Sequence, residues 1–388
     1  MGQAPVTFER MLASPELPGL KNSAQESKPS TPSTARLVSI DALRGFDMFW
    51  IIGGGAVFAA LVKVRPNWFT QTLHEQLEHV QWEGFHFEDL IYPLFLFIIG
   101  IVLPFSLARR DERGQSRGKL YLHFLTRALL LIVLGSIPHG LLTFTHPPFL
   151  GGVLAHIGLC YFFAALVVVH TSWRTRAGIV AGYLVCYWLA SLFIPVPGYG
   201  AGVFTEQGSL ASFIDRHFIS GNLWNEGPAS TPSGICIILW GSLAGHWLRS
   251  SRSGNEKAAG LAQLGLASVI LAYFWSYSFP MIKRVVWSSS YVTFACGWSL
   301  LLVALFYRMI DVKGYRHWAF FFVVIGMNAI TIYLLADVVN FDHLAGLLVQ
   351  GIANHAGALK PVVLPIGIVG VEWLLLWFLY RHRIFFKL

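Results

Sequence analysis

The run Glu78-His79-Val80-Gln81-Trp82-Glu83-Gly84-Phe85-His86-Phe87-Glu88-Asp89 places two imidazoles among carboxylates at the mouth of a long apolar segment. Histidine has an ordinary pKa of about 6.5, which suits proton transfer near neutral pH. His79 and His86 are therefore both candidate bases, and spacing does not choose between them. The plain alternative is a solvated loop histidine, because a single imidazole without an orienting partner does not identify a base. Trp82 is a residue type that favours a membrane boundary, where ionisable groups are costly and by default functional.

Four other polar groupings interrupt apolar sequence. Asp41, Arg44 and Asp47 recur at i, i+3 and i+6, close to one helical face. Charges there must face protein or water, either as an internal ion pair or as a site for an anionic group. Lys283 and Arg284 precede Trp287-Ser288-Ser289-Ser290-Tyr291, and they either snorkel to the interface or are held by an anion. Asn328, with Tyr333 and Asp337, either lines a polar cavity or links helices by hydrogen bonds. Asn225 to Ser233 is a turn-rich stretch before an apolar run. The sequence contains no GxSxG, HExxH, P-loop or dinucleotide-binding glycine motif, and no histidine pair at metal-ligand spacing, so no metal is expected.

The elements that carry these groups are membrane helices. Of 388 residues, 55% are hydrophobic and only 12% charged, against roughly a quarter charged in soluble domains. Mean hydropathy is +0.58. The expected fold is an all-α polytopic bundle of about ten transmembrane helices, each needing roughly 20 apolar residues. Candidate spans are 37–62, 89–108, 120–142, 149–170, 177–195, 233–249, 259–276, 290–309, 317–339 and 361–380. The segment 344–357 is too short and too polar to cross, and reads as a half-helix or re-entrant piece. Residues 1–35, rich in Ser and Pro and without an apolar core, read as a disordered cytoplasmic tail preceding one transmembrane domain, 36–388. Of the 28 Lys and Arg residues, twenty fall on the face shared by both termini and six on the other. This asymmetry predicts cytoplasmic termini and places His79 on the opposite side. It also explains the net charge of +8 without nucleic acid. The four cysteines, all in apolar segments, read as small buried hydrophobes.

The order of motifs resembles the heparan-α-glucosaminide N-acetyltransferase family and its bacterial relatives. An Arg-Leu-x-Ser-Ile-Asp-x-Leu-Arg-Gly opening runs from Arg36 to Gly45. A longer and more specific pattern runs from His79, Trp82 and Gly84 through Asp89 and Pro93 to Gly100. Trp287 to Val292 and Gly326 to Ala329 match as well. The resemblance implies transfer of an acetyl group from cytoplasmic acetyl-CoA, across the bilayer, to the amine of a glucosamine on the extracytoplasmic side. It also implies that His79, not His86, is the catalytic histidine. The chain departs from the family pattern at His156, where an arginine is usual, and in the outward loops at Met281-Ile282 and Trp224-Asn225.

Under that resemblance, His79 takes a proton from the acceptor, either directly or by way of an acetyl-imidazole. Asp41 or Asp89 accepts its other ring N–H. Arg44, Lys283, Trp287, Ser289 and Asn328 are the candidate donor-binding and oxyanion-stabilising residues. The implied partners are acetyl-CoA, an extracytoplasmic amino sugar or glycan (with an amine or a hydroxyl acceptor) and the lipid bilayer of a bacterial inner membrane. A homo-oligomer is compatible with the sequence. The rival from a different class is a transporter or flippase using Asp41, Arg44, Asp47 and Asp337 as a polar path.

Overall fold

The computed structural model describes residues 36–137, 152–218 and 226–386; the tail expected over 1–35 lies outside them. The described residues are helical, with two isolated bridge contacts and no strand. In chain order the helices are α1 (Val38–Phe49), α2 (Trp68–Gln76), α3 (Glu88–Glu112), α4 (Arg117–Ser136), α5 (Val153–His170), α6 (Trp173–Phe193) and α7 (Leu210–Phe218). They continue as α8 (Thr231–Leu248), α9 (Gly254–Trp275), α10 (Ser289–Phe306), α11 (Phe320–Met327), α12 (Ala329–Val338), α13 (Phe341–His355) and α14 (Lys360–Arg381). The chain is an all-α polytopic membrane protein.

Among the described residues, eight helices are long and apolar enough to cross a bilayer, or nine if the bent pair α11–α12 is one span. The expectation of about ten exceeds this at 233–249. That segment does form a helix, α8, but its Gly, Ser and Thr content leaves it short of the apolarity of the others. The reason is its neighbours: α8 is buried in protein. A Cβ on Gly241 would fall on the carbonyl of Phe97, one on Gly245 on that of Ile101, and one on Gly100 on that of Ile238. The α3 and α8 backbones therefore touch directly, as small residues permit. The expected span 317–339 is not straight either: it bends by 71° at Asn328. The segment expected to be too short to cross is the 15-residue α13, about 22 Å long at the α-helical rise. It lies against α14, with Gly367 admitting the side chain of Val349.

Burial orders the layers. In α3 and α10, 78% and 72% of the apolar window is buried, against 22% in α6 and 28% in α4 and α9. The first two form the centre and the others face outward to lipid. The first span is interrupted after Phe49 by a π-helical turn, Trp50–Gly54, in which Gly53 has φ 129°, before helix resumes to Val64. The start of α1 has no cap of its own; Asp311, from the turn after α10, accepts hydrogen bonds from the amides of Val38 (3.3 Å) and Ser39 (3.2 Å). Between the spans, the short helices α2 and α7 form as well.

Candidate active site

At the N-terminal end of α3, one carboxylate organises the surroundings. Asp89 Oδ2 accepts from the amides of Val80 (3.3 Å) and His86 (3.1 Å). Asp89 Oδ1 lies 2.9 Å from His79 Nδ1 and 3.5 Å from Lys283 Nζ. The Asp89 side chain is 2% exposed and that of Lys283 13%, whereas His79 is 55% exposed. Lys283 Nζ is also 3.2 Å from His79 Nδ1. A carboxylate cannot share a lone-pair contact with Nδ1, so Nδ1 carries the hydrogen and donates it to Asp89. Lys283 then forms an ion pair with Asp89, and Nε2 keeps the ring's lone pair.

Two loops hold this arrangement. Glu83 and Ile282 form an antiparallel bridge, and the amide of Gly84, at φ 126°, donates to Met281 O (2.9 Å). The second loop closes on itself: Trp287 N donates to Lys283 O (2.9 Å), and Ile282 N donates to Ser288 Oγ (3.1 Å). Trp287 is fully buried at φ 45°, a left-handed conformation that a bulky residue adopts only when its surroundings impose it. Tyr291 donates to the backbone carbonyl of Asp89 (2.8 Å), which fixes the start of α3 against α10.

The other end of α3 opens on a cavity of about 860 Å³. Arg36, Arg44, Arg109, Arg110, Arg113, Arg127 and Arg383 line it, with Asp41 as the one carboxylate. Its inner wall is apolar, formed by Phe95, Ile98, Ile157 and others. Seven guanidiniums against one carboxylate suit a polyanion, since arginine binds phosphate through paired N–H groups. From Arg109 to Asp89 is roughly 30 Å along α3, and from Phe95 to Asp89 roughly 9 Å. Neither His79 nor Asp89 lines the cavity. Between them Trp287 meets the rings of Tyr92 (5.2 Å) and His156 (5.6 Å), and Tyr92 is hydrogen-bonded to His156.

The structure thus brings His79, Asp89 and Lys283 together and divides the other sequence candidates. Asp41 does not orient His79. It is held by Arg36 (2.5 Å) and Arg44 (3.2 Å) at the cavity, where Arg44 also donates to Gly326 O (2.6 Å). Lys283, Trp287 and Ser289 do not line the cavity with Arg44. Ser289 donates to Leu184 O (2.7 Å), and Asn328 spends its amide on Ile384 O (3.0 Å) and Phe386 N (3.3 Å), tying down the C-terminal segment. Both polar groups are consumed by packing, Ser289 at the first turn of α10 and Asn328 at the bend between α11 and α12. Sequence reasoning missed Arg109, Arg110, Arg113, Arg127 and Arg383, reading most of them as topology signals. Arg127, inside a span where no topology rule applies, was the available clue.

No protein-family model matches the chain. Among curated proteins it is similar to the heparan-alpha-glucosaminide N-acetyltransferase of Mus musculus, 25% identical over 92% of this chain and 61% of that protein. It is likewise similar to the Homo sapiens protein of the same name, 26% identical over 91% of this chain and 60% of that one. The chain therefore spans about three fifths of the length of these relatives. Their similarity over nearly all of the present sequence makes this chain a distant relative of the heparan-alpha-glucosaminide N-acetyltransferases.

Proposed function

We propose that the chain is a transmembrane N-acetyltransferase that takes acetyl groups from acetyl-CoA on its basic, cytoplasmic face and delivers them to the amine of a glucosamine-like sugar on the opposite face. The observation that carries this reading is the make-up of α3. One helix presents Arg109 and Arg110 to a large cavity at one end and, at the other, the Asp89 carboxylate that orients the exposed His79. The names of the relatives supply the reaction class.

In this reading the arginines hold the phosphates of the donor, and the apolar inner wall takes its pantetheine arm. The thioester has about 9 Å beyond Phe95 to travel, through the layer of Tyr92, His156 and Trp287, which parts to admit it. His79 Nε2 removes a proton from the attacking amine, and Asp89 stabilises the resulting imidazolium. The C–N bond forms first, giving a tetrahedral intermediate; its collapse breaks the C–S bond, and the departing thiolate takes the proton from His79. Lys283, beside the ring, stabilises the oxyanion of the tetrahedral intermediate. The deciding experiment is His79→Ala, assayed with labelled acetyl-CoA in proteoliposomes and by thermal shift with CoA. Transfer is lost while the CoA-induced shift persists; full transfer in the variant refutes the reading.

One observation favours transport instead. The 71° break at Asn328 is of the kind that transporters use near a midplane site. Solute flux that is independent of CoA would support that alternative.

A further inference from the structure

Acetylation of an amine that arrives as an ammonium removes two protons from nitrogen, and His79 accepts one at a time. One proton leaves with the CoA thiol and the other must reach solvent. We propose that Glu88 and Asp47 form an acidic subsite beside His79 that binds the acceptor's ammonium group and takes its first proton, leaving His79 to take the second. This inference rests on the acetyltransferase reading.

Asp47 is fully buried within the first span, and among the described residues neither of its carboxylate oxygens has a hydrogen-bond partner. Among the same residues the indole N–H of Trp50, a turn further on, is also without a partner. Phe87 packs on the residues flanking Asp47: Trp50 meets its ring at 4.9 Å and Phe46 at 6.5 Å. Glu88 follows Phe87. It is half-buried, makes no hydrogen bond or ion pair among the described residues, and acts electrostatically on Asp47 on one side and on His79, Lys283 and Asp89 on the other. On its own helix Asp47 has no free cation nearby, because Arg44 is committed to Asp41 and Gly326. A helix N-terminus favours an acidic residue such as Glu88 without any ligand. It gives no reason for Asp47, which lies mid-span with no donor. Such a carboxylate weakens the fold unless it receives a proton or a cation, and an acceptor ammonium at Glu88 supplies both. The first proton passes from nitrogen to Glu88, is shared with Asp47 behind it, and leaves to the outward solvent after product release.

The test compares two acceptors in the full-length protein: glucosamine, mostly an ammonium below neutral pH, and methoxyamine, which is neutral there. In Asp47→Asn and Glu88→Gln, kcat/KM for glucosamine falls at least about tenfold near pH 6 and recovers toward pH 9, following the free amine. Methoxyamine transfer stays within about twofold of the parent, and the melting temperature of Asp47→Asn is no lower than that of the parent. Equal loss with both acceptors, an unchanged glucosamine profile, or a destabilised Asp47→Asn protein each overturns the inference. If His79→Ala abolishes transfer while the Asp47→Asn profile is unchanged, only this inference fails. Transfer that survives His79→Ala overturns the parent reading, and this one with it.

Discussion

The two ends of α3 are charged in opposite senses of completeness. At the N-terminal end the Asp89 carboxylate is met by two amides, an imidazole and an ammonium. At the C-terminal end, among the described residues, seven guanidiniums share one carboxylate. The first arrangement is finished before any ligand arrives, as a group that must hold a tautomer requires. The second is a standing excess of positive charge that an anion completes. Under the proposed function, preorganisation for chemistry and readiness for binding are separated along one helix, and mutations at its two ends are expected to affect different kinetic constants.

The largest effect sharpens that separation. His79→Ala lowers kcat by about a thousandfold or more, with the CoA thermal shift retained. Asp89→Asn leaves the ring in place but removes the acceptor that fixes its tautomer, and lowers kcat by roughly a hundredfold or more. It also leaves Lys283 without its ion pair, so the melting temperature falls as well. At the other end, Arg109→Gln and Arg110→Gln each raise KM for acetyl-CoA by roughly tenfold with kcat nearly unchanged. If these arginine variants lose kcat instead, the two ends are not functionally separate and the comparison breaks.

The smallest effect concerns the short helix α7. Asp215 on α7 accepts from the amide of Ala229 (2.7 Å) but is otherwise enclosed, and burial pushes its carboxyl from the ordinary value up to about 6. A folded-state pKa above the unfolded one means that the folded form holds the proton more tightly. Asp215 therefore contributes stability that is full below about pH 4 and is lost as pH rises through about 6. Asp215→Asn removes that pH dependence, so its melting temperature exceeds the parent's by a few degrees at pH 8, with the gap closing toward pH 4. Thermal melts across this range check the sign.

Much of the fold was legible in the sequence because hydropathy reports lipid exposure. Where a helix is enclosed by protein the signal weakens, and α8 is the example: its glycines and serines serve backbone contact with α3, not lipid. The bend at Asn328 was not legible, since an asparagine in a span reads equally as a cavity residue or a helix link. At the candidate site, His79 and Asp89 were readable because they sit in one stretch of sequence. Lys283, 204 residues away from His79, showed only as a cation on the wrong side of the charge rule. The arginine cavity was hidden for the opposite reason. Apart from Arg44 and Arg127, which lie within spans, its members fit the charge rule, and a residue that satisfies topology does not announce a second use.

The glycine contacts between α3 and α8 have a mechanical consequence. Where carbonyl meets Cα with no side chain between, there are no rotamers to compress and no slack to take up. The two helices act as a single strut, and the span between the arginine basin and the imidazole is fixed by covalent rise alone. The donor's arm is then measured against an unyielding ruler. An acyl carrier with a shortened tether would be held at one station without arriving at the other, however tightly its phosphates were gripped.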